Sequence, residues 1–129
     1  GVKRRYDVIF ENDDFKVIDD FAHHPTAIIE TLKLAKKECL NVILVLELGS
    51  NSMRKGVHDE KLIEIMQDQK TYTINASPEQ LEKFSHLSEE LNLNLVKQIT
   101  LKPKEKHIIL MCGNRNFSGF QKYILEALI

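Results

Sequence analysis

Cysteine is scarce: the sequence has two, Cys39 and Cys112, and no CxxC spacing, so the usual patterns for a thiolate metal site or a redox dithiol are excluded. Both read as reduced thiols. Proline and glycine are sparse as well, three and five residues, which argues against a disordered or low-complexity chain. No sign of charge dominates. Eighteen basic residues stand against nineteen acidic ones, for a net charge of -1, so nothing in the overall field invites nucleic acid or an anionic membrane surface. No apolar run approaches the roughly 20 residues that cross a bilayer, and the start GVKRR is not followed by the apolar stretch of a signal peptide. The expectation is a cytoplasmic chain with no nucleic-acid or membrane partner. Missing too are a GxxxxGK[ST] phosphate cradle and a GxGxxG turn after a strand.

What remains is an ordinary globular composition, 43% apolar and 29% charged over 129 residues, suited to one core and a single domain, 1–129. Alternation puts Tyr6, Val8 and Phe10 on one face, Asn12-Asp13-Asp14 supply turn chemistry, and Phe15 and Val17 follow, predicting an antiparallel hairpin. Pro25 suits a first helical turn and heads a stripe of Ile28, Leu32 and Ala35. The uninterrupted VILVL within Asn41 to Leu48 reads as a strand buried on both faces of a parallel sheet. A polar loop follows over Gly49 to Gly56, Asp59 is placed to cap a helix carrying Leu62, Ile63 and Met66, and Thr71 to Ile74 form a short strand.

Ser77-Pro78-Glu79-Gln80 is a capping box for a helix whose stripe is Leu81, Phe84, Leu87 and Leu91. Leu95 to Leu101 read as a strand, 102–106 as an exposed turn and His107 to Cys112 as another strand. Phe117, Phe120, Ile124 and Leu128 give the stripe of a closing helix. Strands alternating with helices predict an α/β fold: a Rossmann-like open, mostly parallel sheet with helices on both faces and an N-terminal antiparallel hairpin.

In such sheets ligands gather at loops leaving the carboxyl ends of strands, which nominates Asp19 to Pro25, Glu47 to Lys55 and Cys112 to Gly119. The first loop sets carboxylates and two imidazoles before a helix N-terminus, where free N–H groups and the helix dipole favour an anion such as phosphate. Asp20 there can accept from ribose hydroxyls, and His23 can donate to a phosphate. By residue type alone, both can equally satisfy backbone groups around the helix start.

The string DDFAHHPTAI resembles the DDYAHHPTEI-like signature of the C-terminal domain of Mur ligases, and a DGAHNP loop marks the related ligases that extend folates. The opening GVKRR is similar to the way that domain begins. LELGSNSMRKG resembles the LEPRSNTMKMG stretch of the family branch that joins murein tripeptide to UDP-N-acetylmuramate, and CGNRNFSGFQK, more loosely, a glycine-rich SNGGFGG segment. Phe21 replaces a tyrosine of that pattern, and Gly49 stands where the tripeptide branch has arginine, removing a charge suited to phosphate or carboxylate.

The resemblance implies a fragment of a three-domain enzyme. An N-terminal domain would hold the UDP-sugar, a central domain would hold ATP and Mg2+ on a P-loop, and the C-terminal domain would close over both. The sugar carboxylate attacks the γ-phosphate, and the acyl phosphate is captured by the incoming amine. In that frame Asp20 faces the nucleotide ribose, and His23 and His24 lie near its phosphates. Ser50, Asn51, Ser52, Arg54 and Lys55 meet the carboxylates of the incoming tripeptide, and Asn114, Arg115 and Ser118 belong to a further substrate loop.

Replacing Asp20 or His23 is then expected to impair ligation while changing the domain's stability little. Without a P-loop or a magnesium-ligand cluster, the domain alone is expected to have no catalytic residue of its own, no metal ligand and no activity. Two alternatives stay open: the family branch that adds L-alanine to UDP-N-acetylmuramate, whose pattern at the second loop resembles FQPHRYSR, and a stand-alone α/β module with a metal or nucleotide site.

Overall fold

A computed structural model describes residues 4–129; Gly1 to Lys3, the first part of the GVKRR start, lie outside the described residues. The hairpin forms as β1 (Asp7–Glu11) and β2 (Phe15–Asp20), its turn held by the Asn12 carboxamide, which accepts from the Asp14 and Phe15 N–H groups at 2.9 and 2.7 Å. The expected single face of Tyr6, Val8 and Phe10 is broken by a bulge between Val8 and Phe10. The extra residue reverses the alternation, so Val8 is exposed while Ile9 and Phe10 pack inward.

Next come α1 (Pro25–Glu38), β3 (Val42–Glu47), a single helical turn α2 (Asn51–Arg54), α3 (Asp59–Met66), β4 (Lys70–Ile74), α4 (Pro78–Lys83), β5 (Ser88–Glu90), α5 (Leu93–Ile99), β6 (His107–Cys112) and α6 (Phe120–Leu128). The strands form one six-stranded sheet in the order β1-β2-β6-β3-β4-β5. Among the described residues only the β1–β2 pairing is antiparallel, so the expected mostly parallel α/β sheet with a leading hairpin is what forms.

Alternation along the central strands builds two cores, one on each face. Val42, Leu44 and Leu46 with Ile108 and Leu110 meet α1 and α3 through Ile28, Leu32, Ala35, Leu62, Ile65 and Met66. Ile43 and Val45 with Ile109 and Met111 meet α5 and α6 through Leu95, Val96, Ile99 and Ile124. Each such side chain contributes roughly 1.5–3 kcal/mol on burial, which explains why β3 and β6, buried on both sides, read as unbroken apolar runs.

Four expectations change. Leu95 to Leu101 is not a strand: Asn92 accepts from the Leu95 N–H and caps α5, and Leu95, Val96 and Ile99 fall on one helical face. The capping box at Ser77 and Gln80 forms in full, but α4 ends at Lys83. Leu81 is exposed, and 88–90 pairs with β4 instead. The 49–56 loop contains α2, started by the Ser50 hydroxyl accepting from Met53 N–H. Asp59 does not cap α3; it is the first helical residue, and its carboxylate accepts from Gln80 Nε2 and Lys83 Nζ at 2.9 and 3.0 Å.

Candidate functional site

Because β2, β6 and β3 are parallel neighbours, the three nominated loops leave the same edge side by side. The Gly113 N–H donates to the Asp20 carbonyl at 3.1 Å, joining the first loop to the third. Arg4 locks this junction: its Nε faces the Asp19 carboxylate at 3.1 Å, its Nη2 donates to the Gly113 carbonyl at 2.9 Å, and the guanidinium lies between the Phe21 and Phe117 rings.

Asp20 points into the protein. Buried at 8% exposure, its carboxylate accepts from Tyr6 N–H at 2.9 Å, Ala22 N–H at 2.8 Å and the Thr31 hydroxyl at 2.7 Å. Three of roughly four lone-pair directions are thereby engaged, so Asp20 shapes the loop and docks it on α1. The expectation that its loss would spare stability does not fit this arrangement.

The imidazoles behave differently. His24 occupies the N-cap position of α1 without a side-chain cap, and the first turn carries no acid. The His23 ring nitrogen Nδ1 lies 3.2 Å from the Phe21 carbonyl, His23 and His24 are 4.4 Å apart between ring centres, and His58 stands edge-on to His24 at 5.3 Å. Partial desolvation first, and then His23 and His58, hold His24 below the ordinary histidine range.

Between the second and third loops, Glu47 is the organiser. It ends β3 at 1% exposure, and its two oxygens accept from the Arg115 and Phe117 N–H groups, each at 2.7 Å. Arg115 lies across Gly49. Arg54 and Lys55 are exposed and form no ion pair among the described residues. Ser50 and Ser52 hydroxyls are 3.5 Å apart. Asn51 is exposed, and Ser118 accepts from the Asn75 side chain at 3.1 Å. The Asn114 Oδ1 is buried without a partner.

An open groove of about 800 Å³ runs from Arg5 and Tyr6 past His23 and His24 along Leu34 and Lys37 of α1. Of the three loops, the first borders it, while Asn51, Arg54 and Lys55 of the second and Arg115 and Ser118 of the third are exposed away from it. The uncapped first turn of α1 with two imidazoles before it suits a phosphate group. Among the described residues no three His, Cys, Asp or Glu side chains converge on a common point. No helix among them is long and apolar enough to cross a membrane.

Arg4, Glu47 and His58 were not singled out by sequence. Glu47 left one signal, a carboxylate closing an otherwise apolar buried strand; Arg4 and His58 left none beyond residue type.

Fold and site together define an α/β domain with its polar loops gathered on one sheet edge. The chain belongs to the Mur ligase family: residues 4–115 match its glutamate ligase domain. It is 31% identical to the UDP-N-acetylmuramate–L-alanyl-γ-D-glutamyl-meso-2,6-diaminoheptandioate ligase of Haemophilus influenzae, over 99% of this chain and 31% of that protein, so it spans about a third of that relative's length. A murein peptide ligase from Psychrobacter arcticus superposes with a TM-score of 0.77 at 29% identity, covering 99% of this chain and 30% of that one. A domain from Haemophilus ducreyi, named for a ligase of the same kind, superposes at 0.72 with 27% identity, covering 97% of this chain and all of that one. Shorter stretches match ligases named for L-alanine, one of them 54% identical over 29% of this chain in Alkaliphilus metalliredigens.

Proposed function

We propose that this chain is the C-terminal domain of an ATP-dependent, amide-forming ligase that joins murein tripeptide to UDP-N-acetylmuramate in peptidoglycan recycling. The near end-to-end sequence likeness to the Haemophilus influenzae ligase carries the reading, since the sequence stretches shared with L-alanine ligases cover less than half of the chain and the end-to-end structural likeness to one of them comes at only 18% identity. The L-alanine reaction is the second reading, favoured by the higher identity of those short stretches, from 35% to 55%.

The geometry supports a closing role. Two of the three loops display cations, hydroxyls and amides with no facing wall among the described residues, as suits a surface completed by the N-terminal and central domains of the same enzyme. His23 and His24, before the open first turn of α1, would contact nucleotide phosphate, while Asp20 holds their loop in place. Bound ATP would supply the γ-phosphoryl group that activates the sugar carboxylate, held with Mg2+ by the central domain. Ser50, Asn51, Ser52, Arg54 and Lys55 would meet the tripeptide carboxylates, with Asn114, Arg115 and Ser118 beside them.

The test compares the full-length protein with the chain alone. The full-length protein should release phosphate from ATP on addition of UDP-N-acetylmuramate and tripeptide, and the isolated chain should release none, because γ-phosphoryl transfer needs a phosphate cradle and its metal. Metal-dependent ATP turnover by the isolated chain, abolished by His23→Ala, would overturn this division of labour.

A further inference from the structure

Gln80 belongs to α4, yet half of its side chain serves another element. It is 1% exposed and closes the capping box of α4. There its Oε1 accepts from the Ser77 N–H at 2.9 Å, and its own N–H donates to the Ser77 hydroxyl at 3.2 Å. That half is ordinary helix chemistry. The other half leaves the helix: Nε2 donates to the Met53 carbonyl and, at 2.9 Å, to Asp59 Oδ1, which occupies both of its hydrogens.

Met53 is the buried residue of α2, and Asn51, Arg54 and Lys55 around it are exposed. A single helical turn does not hold itself, because fixing its backbone costs more free energy than its first hydrogen bond contributes. This turn is pinned at three points instead. At the start, the Ser50 hydroxyl accepts from the Met53 N–H at 3.3 Å. In the middle, Gln80 takes the Met53 carbonyl. At the end, Gly56, with φ at 84°, runs so close to Asp59 that a Cβ there would lie 2.8 Å from Asp59 Oδ2. Gln80 acts at the second point directly and at the third through Asp59, whose other oxygen accepts from Lys83 Nζ at 3.0 Å.

The amide itself is informative. A capping box accepts glutamate as readily as glutamine, so α4 alone does not call for an amide. On the Nε2 side, however, stand a carbonyl and a carboxylate, two acceptors that a second carboxylate would oppose. The choice of residue at position 80 is therefore set by the second loop.

We propose that Gln80 is a positioning residue for the 50–56 loop, acting on the incoming peptide through the Met53 carbonyl and touching no substrate itself. This rests on the ligase reading above, in which that loop meets the peptide.

The experiment uses the full-length protein, with steady-state kinetics for UDP-N-acetylmuramate, ATP and tripeptide, and amide exchange across 50–57 followed by mass spectrometry. Gln80→Met keeps the side-chain length and removes both donations. It should raise the tripeptide KM by roughly three- to tenfold, the size of one lost hydrogen bond, and leave the KM for ATP within about twofold. Exchange should quicken at Gly56, whose N–H donates to the same Met53 carbonyl. Ser77→Ala breaks the same capping box from its other side without touching Met53 or Asp59, so it should lower the unfolding midpoint and change neither the tripeptide KM nor the exchange. Gln80→Glu keeps the bond from the Ser77 N–H and carries the same prediction as Gln80→Met, should that variant not fold.

An unchanged tripeptide KM in the Gln80 variants, an equal rise for ATP, or an equal rise in Ser77→Ala would each overturn the proposal. If the unmutated protein ligates L-alanine and not tripeptide, the ligase assignment fails instead, and the same comparison with L-alanine as the incoming amine still decides the role of Gln80.

Discussion

The Asp20 carboxylate accepts a buried 2.7 Å hydrogen bond from the hydroxyl of Thr31, one helical face away on α1. With the Tyr6 and Ala22 N–H groups also donating to Asp20, its removal leaves three donors unpaired, two of them buried. Asp20→Ala should destabilise the isolated chain by about 3 kcal/mol, and Thr31→Val by about 1 kcal/mol. Urea unfolding measures both, and a double-mutant cycle should show coupling. An unchanged midpoint for Asp20→Ala would return Asp20 to a purely ligand-facing role.

Glu47 makes a parallel case at the other loops. Glu47→Ala strands the buried Phe117 N–H and leaves the partly exposed Arg115 N–H to solvent, and should cost about 1–3 kcal/mol. Gly113→Ala, whose methyl would collide with the root of the Glu47 side chain, should cost about 1–3 kcal/mol by overpacking. Amide hydrogen exchange at Arg115 and Phe117 should quicken selectively in Glu47→Ala. Unaltered protection there would show that other contacts hold the loop.

Much of this was legible beforehand, for reasons that differ by element. The β3 and β6 runs and the Ser77–Gln80 capping box were readable because their chemistry is local. The 95–101 segment resembles a strand by its β-branched content, and the signals for α5 are the Asn92 cap and the helical spacing of Leu95, Val96 and Ile99. α4 was drawn too long because the pairing of 88–90 with β4 is a tertiary event. The side-by-side placement of the three loops follows from strand polarity, which makes β2, β6 and β3 parallel neighbours. Asp20's inward turn depends on Thr31 and on the Tyr6 backbone, and the Gly49–Arg115 contact depends on β6 lying beside β3, an order that chain sequence does not reveal.

The histidine cluster predicts a pH dependence. The unfolded chain protonates His24 near 6.5 while the folded site resists the proton. Below that pH the unfolded state binds more protons, so the His24 contribution is complete above 6.5 and declines on acidification. NMR titration should place His24 below the ordinary value. His58→Asn should move it part of the way back, because partial desolvation, the largest cause, remains. A midpoint unmoved by that change would dissociate the two rings.

The thiols should separate cleanly. Cys112 is buried in the apolar core, and burial first, then the charges of Asp20 and Asp19, push its thiol far above the ordinary range. Cys39 is partly exposed, with its sulfur 3.1 Å from the Lys106 carbonyl. An aromatic disulfide reagent should label Cys39 in the native chain and Cys112 only after unfolding. Equal labelling rates would contradict the packing of β6.

The most direct measurement is a competition. The full-length protein is given ATP, Mg2+, UDP-N-acetylmuramate and equal concentrations of L-alanyl-γ-D-glutamyl-meso-diaminopimelate and free L-alanine, and its products are weighed by mass spectrometry. A product carrying the intact tripeptide, with the alanine adduct a minor species, is the predicted result. UDP-N-acetylmuramoyl-L-alanine as the dominant product would contradict the assignment.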